Sequence, residues 1–178
     1  IELVFLAVPH TKSAALVPSA LEKGLRLIDL AADFRLKESA VYEKHYGFSH
    51  PHPELLSQAG YGLPELYRDK IKDAQLIANP GCYPTACSLA ALPLLSSDMN
   101  FESPLIIDAK SGYSGAGRAS LDEAFQDKIN ENFYSYKAFK HQHSPEISQV
   151  YAEVSGHVQG LSFVPHLLPI ERGILASL

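Results

Sequence analysis

The sequence predicts an α/β fold, in which a parallel-sheet unit is followed by a mixed α+β domain. An apolar run at Leu3–Val8, a helical stripe through Lys23 and a second apolar run at Leu25–Leu30 form the pattern of a β-α-β unit with a right-handed parallel crossover. From Leu105 the pattern changes to longer strands separated by glycine-rich and polar segments. We therefore predict a domain boundary near Asn79.

The first helix has recognisable end signals. Ser13 is the predicted N-cap, and Gly24 is a stop signal after the last helical residue. The elements predicted next are an irregular segment with short helical turns at 40–70, a strand at Ala74–Ala78, and a helix that starts at Tyr83 or Pro84 and runs to Leu95.

The second part of the chain begins with an apolar strand and a glycine-rich loop. Its last helix is predicted to have Ser144 as N-cap and Pro145 in the first turn, and its last two strands are expected to be antiparallel neighbours. The predicted elements are a strand at Leu105–Ala109, the loop Ser111–Arg118, a polar helix at Ser120–Lys128, an edge strand at Phe133–Phe139, a helix from Ser144 to Val154, and strands at Val158–Pro165 and Gly173–Leu178.

Composition excludes several classes of function. The chain has 178 residues, 46% of them hydrophobic, and a net charge of −5 without a basic block, which argues against nucleic acid as a partner. The longest apolar stretch, Leu89–Leu95, is too short to span a membrane. Two cysteines on different faces of one helix argue against a disulfide, so we expect a reducing, cytoplasmic setting. Because the chain begins and ends inside apolar runs, we expect it to be a piece of a longer protein.

Cys82 is the candidate nucleophile. It follows the strand Ala74–Ala78 and a Pro-Gly turn and precedes a helix. At a helix N-terminus, free backbone N–H groups and the helix dipole favour the thiolate. A lone cysteine is more often structural, but this context favours a reactive Cys82. Cys87 lies within an apolar helix and is expected to be a buried packing residue.

The candidate base lies in the segment Lys140–Ile147, where two histidines alternate just before a helix and Glu146 follows. On an extended segment His141 and His143 would face the same side, and Glu146 could orient one ring. A zinc pair is the alternative, but no third ligand with suitable spacing accompanies it. His166 is a second candidate base, at a strand end.

The glycine-rich loop Ser111–Arg118 has the spacing G-x-x-G-x-G, which differs from the dinucleotide fingerprint G-x-G-x-x-G. No acidic residue ends a following strand about twenty residues later, as that fingerprint requires. The loop is either a plain connection or an anion-binding turn that uses backbone N–H groups and Arg118.

Taken together, four motifs resemble the N-acetyl-γ-glutamyl-phosphate reductases, a family related to the aspartate-semialdehyde dehydrogenases. They are NPGCYPT, SGYSGAGR, HQHSPEI and PHLLPIERGIL, in this order and spacing. The resemblance covers essentially the whole chain. It implies a partial Rossmann-like dinucleotide-binding domain over 1–79 and, over 80–178, a partial catalytic and dimerisation domain of the glyceraldehyde-3-phosphate and aspartate-semialdehyde dehydrogenase type.

The resemblance also implies an activity. Such enzymes use NADPH to reduce N-acetyl-γ-glutamyl phosphate to the semialdehyde through a cysteine thioester, in arginine biosynthesis, and they are homodimers or homotetramers. The N-terminal glycine-rich phosphate loop of the family is not present, so weak NADPH binding is expected. The residues implied are Cys82 as nucleophile and His141 as acid/base; Ser111, Arg118, His143 and Glu146 at the substrate; and Ser111, Gly112 and Pro80 at NADP.

Three other hypotheses remain open at the level of sequence. The substrate could be the N-acetyl-aminoadipyl phosphate of lysine biosynthesis, which is one methylene longer. The chain could instead be a non-enzymatic metal-binding module built on His141, His143 and a cysteine, or an inactive interaction fragment. Four basic residues could bind phosphate or a substrate carboxylate, and the sequence does not rank them: Arg35, Arg118, Lys140 and Arg172.

Overall fold

The computed structural model describes residues 1–95, 104–156 and 160–178, and for residues 118–121 it describes the backbone alone. The chain divides into two compact units, Ile1–Gly81 and Cys82–Leu178. Each unit has its own four-stranded sheet.

The first unit is a parallel α/β sheet, as predicted. Its strands lie in the order β1-β2-β4-β3, and every neighbouring pair is parallel. Leu27 and Leu76 on the central strands pack with Val17 of the first helix and Tyr42 of the second in the buried core. The elements are β1 (Leu3–Leu6), α1 (Lys12–Glu22), β2 (Arg26–Asp29), α2 (Ser39–Tyr46), a 3₁₀ turn (Pro53–Leu55), β3 (Gly60–Tyr61), α3 (Pro64–Asp73) and β4 (Leu76–Ala78).

The predicted N-cap of α1 is wrong. Ser13 lies inside the helix, and Thr11 occupies the N-cap position in a left-handed conformation with φ of 71°. The first turn is capped instead by a carboxylate from a distant loop, because the backbone N–H groups of Thr11 and Ala14 donate to Asp33 at 3.0 and 2.9 Å. The start of α1 is therefore already occupied by an anion of the chain itself.

The segment 40–70 is more regular than predicted. It contains α2, most of α3 and the short strand β3, whose Gly60 and Tyr61 pair with β4. The helix α3 begins with Pro64, a residue suited to the first helical position. Its sequence is mostly charged, and Tyr67 interrupts its helical geometry.

The second unit is a mixed sheet in the order β6-β7-β5-β8. The central pair β5–β7 is parallel, and both outer pairs are antiparallel. The predicted N-cap Ser144 is the first residue of its helix, and His143 holds the cap position. The elements are α4 (Cys82–Leu95), β5 (Leu105–Gly112), a 3₁₀ segment (Tyr113–Leu121), α5 (Glu123–Ile129), β6 (Tyr134–Ser135), α6 (Ser144–Ser155), β7 (Leu161–Leu168) and β8 (Ile174–Ser177).

The expectation that the last two strands are neighbours is wrong, because β5 lies between them. The connection from β7 to β8 crosses over the end of β5, where Gly112 N–H donates to Gly173 at 2.9 Å and Tyr113 N–H donates to Ile170 at 2.9 Å. A Cβ on Gly112 would lie 2.8 Å from the backbone nitrogen of Arg172. The absent side chain of Gly112 therefore permits the crossing.

The two faces of the second sheet differ in burial. On β5, Ile107, Ala109 and Ser111 are buried, and α4 and α6 pack against this face. The opposite face carries Ile106, which is 65% exposed, together with Asp108 and Lys110. The sheet thus has one covered face, which carries the candidate site, and one open face.

Candidate active site

Cys82 is the accessible thiol of the described chain. It is the first residue of α4 and is exposed, whereas Cys87, one and a half turns later, is fully buried, and neither forms a disulfide. Burial raises the pKa of Cys87 to about 12, with a further contribution from the charge of Cys82. Cys87 is therefore a protonated packing residue at neutral pH.

A cavity of about 530 Å³ lies beside Cys82 within the second unit. Its lining brings together four of the residues predicted from sequence, which come from α4, the end of β5 and the segment before α6. They are Cys82, Ser111, His141 and His143.

His141 is buried in the wall of this cavity and has a defined tautomer. The backbone N–H of His143 donates to its Nδ1 at 3.1 Å, so in the neutral ring the hydrogen is on Nε2. Burial and, to a smaller extent, the charge of Lys137 lower the pKa of His141 to about 4. At neutral pH His141 is an uncharged ring that offers one N–H donor.

Aromatic rings surround His141 and fix its plane. The centroids of Tyr83, Tyr136 and Phe163 each lie 5.6 Å from that of His141, in edge-to-face geometry. The Tyr136 hydroxyl donates to the Tyr83 hydroxyl at 3.1 Å, and Tyr83 donates to the backbone carbonyl of His166 at 3.1 Å.

The two tyrosines are not among the site residues predicted from the sequence. Burial raises the pKa of both, so their hydroxyls remain protonated donors at neutral pH. Two signals were available: Tyr83 directly follows the nucleophile candidate, and Tyr134 and Tyr136 alternate five residues before the histidine pair.

Ser111 lies at the end of β5 with its side chain buried. Its hydroxyl donates to the carbonyl of Gly112 at 2.9 Å. A Cβ on Gly115 would approach this hydroxyl to 3.1 Å, so the glycine-rich loop lies close over Ser111. Gly112 itself packs against the backbone of the β7–β8 connection, which accounts for that glycine without any ligand.

The other residues predicted to contact the substrate are Glu146, His143 and Arg118. Glu146 is completely buried in the first turn of α6, and it is not among the described side chains that line the cavity. The ring of His143 lies 4.8 Å from that of His141. Arg118 belongs to the 3₁₀ segment after β5, and its side chain lies outside the described residues.

The second candidate base is not in the cavity. His166 projects from the open face of the sheet, where its Nδ1 lies 3.0 Å from the carboxylate of Asp108. A hydrogen bond from Lys110 lowers the pKa of Asp108, and His166 contributes less. Only the backbone carbonyl of His166 contacts the site, through Tyr83.

Neither a metal cluster nor a membrane span is found in the part of the chain that the structure describes. No group of three or more His, Cys, Asp or Glu side chains there is arranged to hold a metal ion. No helix within the described ranges has the length and apolar character needed to cross a bilayer.

Two family models match the chain. The semialdehyde dehydrogenase NAD-binding domain matches residues 1–74, and the semialdehyde dehydrogenase dimerisation domain matches residues 82–178, more than half of the sequence. The chain belongs to the semialdehyde dehydrogenase family. The second match begins at Cys82 itself, so the whole cavity lies within the dimerisation domain.

Relatives named N-acetyl-γ-glutamyl-phosphate reductase are similar over nearly the whole chain. Those of Symbiobacterium thermophilum and Nitrosospira multiformis are 49% and 51% identical over 99% of this chain, which covers 51% and 52% of their lengths. The chain therefore spans about half the length of these relatives.

Solved structures give the same fold. Aspartate semialdehyde dehydrogenase II from Vibrio cholerae matches 99% of this chain and 54% of its own chain, with a TM-score of 0.70 at 17% identity. The Candida albicans enzyme, solved with NADP, matches 98% of this chain and 49% of its own, with a TM-score of 0.61 at 13% identity.

Proposed function

We propose that the protein reduces N-acetyl-γ-glutamyl phosphate to N-acetylglutamate 5-semialdehyde, with NADPH as reductant and phosphate as leaving group. The observation that carries this proposal is an exposed thiol at a helix N-terminus, opening on a cavity whose wall holds a neutral, hydrogen-donating histidine. The names of relatives at about half identity supply the substrate.

In the first step the sulfur of Cys82 attacks the acyl carbon, and the carbon–oxygen bond to phosphate breaks. An acyl phosphate is already activated, so the enzyme mainly supplies a good nucleophile. Cys82 is the first residue of α4, and the N–H groups of this first turn, which have no carbonyl partner within the helix, favour the thiolate and the oxyanion that forms next to it. A thioester of Cys82 and free phosphate result.

His141 acts at the oxygen of the reacting carbonyl. Because Nδ1 accepts the backbone N–H of His143, Nε2–H is the group that the ring presents, and it stabilises negative charge on that oxygen as the tetrahedral species forms. Hydride addition to the thioester gives an alkoxide that expels the Cys82 thiolate, so the nucleophile returns without a further proton. In the acid/base role implied by the family, the ring exchanges a proton at the same nitrogen.

The residues that the resemblance implies at the cofactor are Ser111, Gly112 and Pro80. NADPH, when bound, supplies the hydride. Ser111, a buried hydroxyl in the cavity wall, suits the amide of a nicotinamide, whereas Gly112 is used for packing and Pro80 is buried after β4 in the first unit. The N-terminus of α1 holds Asp33, so this helix does not offer its N–H groups to the cofactor phosphates.

The open face of the second sheet suits a second copy of the chain. Ile106 and Leu175, both on this face, are 65% and 61% exposed, and the matched family model is a dimerisation domain. We infer a homodimer, or a homotetramer built from it. Two cysteines without a disulfide suit a reducing cytoplasmic setting.

The proposal is tested by Cys82→Ser, with Cys87→Ser as the matched control. The assay measures NADPH oxidation with N-acetyl-γ-glutamyl phosphate as substrate. It uses the full-length protein as its host produces it. We expect Cys82→Ser to lower kcat by more than about a thousandfold, since a hydroxyl does not replace the thiolate, and Cys87→Ser to remain within about threefold of the unmodified enzyme. If Cys82→Ser were as active as the unmodified enzyme, Cys82 would not be the nucleophile. Faster turnover of N-acetyl-aminoadipyl phosphate than of N-acetyl-γ-glutamyl phosphate would reassign the substrate.

A further inference from the structure

The described charged residues around the cavity are all positively charged. Among the described residues that line it, the charged side chains are Lys128 and Lys137, and none is a carboxylate. Both lysines are exposed at its rim. A cavity edged by cations favours anionic ligands and raises their local concentration.

Lys137 is held in place by its backbone. Its φ is 47°, in the left-handed region that residues with a Cβ seldom adopt. On either side, Tyr136 N–H donates to Pro165 at 3.0 Å and Phe139 N–H donates to Phe163 at 3.1 Å, which fixes the segment to the edge of β7. Unfavourable backbone conformations that the surrounding structure enforces are concentrated at functional sites.

Lys137 lines the same cavity as His141, and its charge acts on that ring. Its charge is the second cause, after burial, of the lowered pKa of His141. The ammonium of Lys128, by contrast, lies over the ring of Tyr134, 5.3 Å from its centroid. Of the two described lysines that line the cavity, Lys137 is therefore the one whose charge acts on His141.

We propose that Lys137 is an anion-binding residue that holds a carboxylate or phosphate group of the molecule reacting at Cys82. The anion site follows from the cavity itself, and the identity of the anion as part of an acyl phosphate rests on the proposed function. The substrate proposed above carries both groups, and a point charge such as an ammonium binds either.

The anion site is tested without catalysis, by alkylation of Cys82. Iodoacetate is anionic and iodoacetamide is neutral, and peptide mass spectrometry gives the rate of each at Cys82, relative to N-acetylcysteine. In Lys137→Met we expect the iodoacetate-to-iodoacetamide rate ratio to fall about threefold to tenfold at low salt. The matched control is Lys140→Met, which removes a nearby exposed lysine that does not line the cavity. An unchanged ratio in Lys137→Met, or an equal fall in both variants, would overturn the proposal.

A second experiment identifies the anion, using the reverse reaction, in which the semialdehyde, phosphate and NADP⁺ are supplied separately. If Lys137 holds phosphate, Lys137→Met raises the KM of phosphate about tenfold or more and leaves that of the semialdehyde unchanged; if it holds the carboxylate, the reverse is found. Unchanged values for both would remove Lys137 from the substrate site. An altered alkylation ratio in a protein that reduces no acyl phosphate would refute the proposed function and leave the anion site standing.

Discussion

At the scale of single residues, the site depends on keeping one histidine uncharged. Three aromatic rings surround His141, and a backbone N–H occupies its Nδ1. Protonation would place a second hydrogen against that N–H donor and a charge among apolar rings, so the fold opposes it. The same contacts that orient the ring therefore link its titration to stability.

We predict that the stability of the protein decreases with acidity through His141. Its pKa falls from 6.5 in the unfolded chain to about 4 in the folded one, so between these values the unfolded state binds more protons. The free energy of unfolding should decrease as pH falls from 6.5 to 4, by at most about 1.4 kcal/mol per pH unit from this group. Urea unfolding at several pH values measures it. His141→Gln should have a shallower slope, and an identical slope would contradict the assignment.

At the scale of elements, the second sheet depends on a crossing at the end of β5. The β7–β8 connection passes over Gly112, and hydrogen bonds from Gly112 and Tyr113 hold it there. This crossing places β8 beside β5, and Ser111, the residue before the glycine, lies in the cavity wall. The strand order and the position of the site therefore depend on the same missing side chain.

We predict that Gly112→Ala destabilises the second unit by about 2–3 kcal/mol, because the new methyl group would lie 2.8 Å from backbone atoms that have little freedom to move. The matched control is Gly115→Ala, whose Cβ would meet, among the described atoms, the side-chain hydroxyl of Ser111 at 3.1 Å and no backbone atom, so a shift of a few tenths of an ångström in one side chain relieves the contact. Chemical unfolding of both variants measures the difference. Equal stability of Gly112→Ala and the unmodified protein would show that the β7–β8 connection can move to accommodate a methyl group at this position.

The sequence predicted the features that local chemistry encodes. The Pro-Gly turn before Cys82 and the Ser-Pro-Glu start of α6 gave the two sequence segments that meet in the cavity. It did not predict the cap of α1, because Asp33 lies nineteen residues beyond Ala14, to which it is bonded. Tyr136 and Lys137 were missed for the same reason, since their positions follow from hydrogen bonds of their segment to β7.

At the scale of the whole molecule, the second unit has a covered face and an open one. The covered face carries the cavity, and the open face combines apolar side chains with the Asp108, Lys110 and His166 cluster. An exposed apolar sheet face of this kind is typical of association between copies. A two-fold interface would bury each copy's Ile106 and Leu175 against the same patch of the other.

We predict that Ile106→Asp weakens this association, because a buried carboxylate without a partner costs several kcal/mol at such an interface. Analytical ultracentrifugation should give a dimer or tetramer for the unmodified protein and a shift toward monomer for the variant at micromolar concentration. Leu89→Asp is the matched control, since Leu89 is also an exposed apolar residue but belongs to α4, which packs on the covered face of the sheet. An Ile106→Asp protein that sediments like the unmodified one would place the interface elsewhere, whereas dissociation by both variants would point to general destabilisation of the unit.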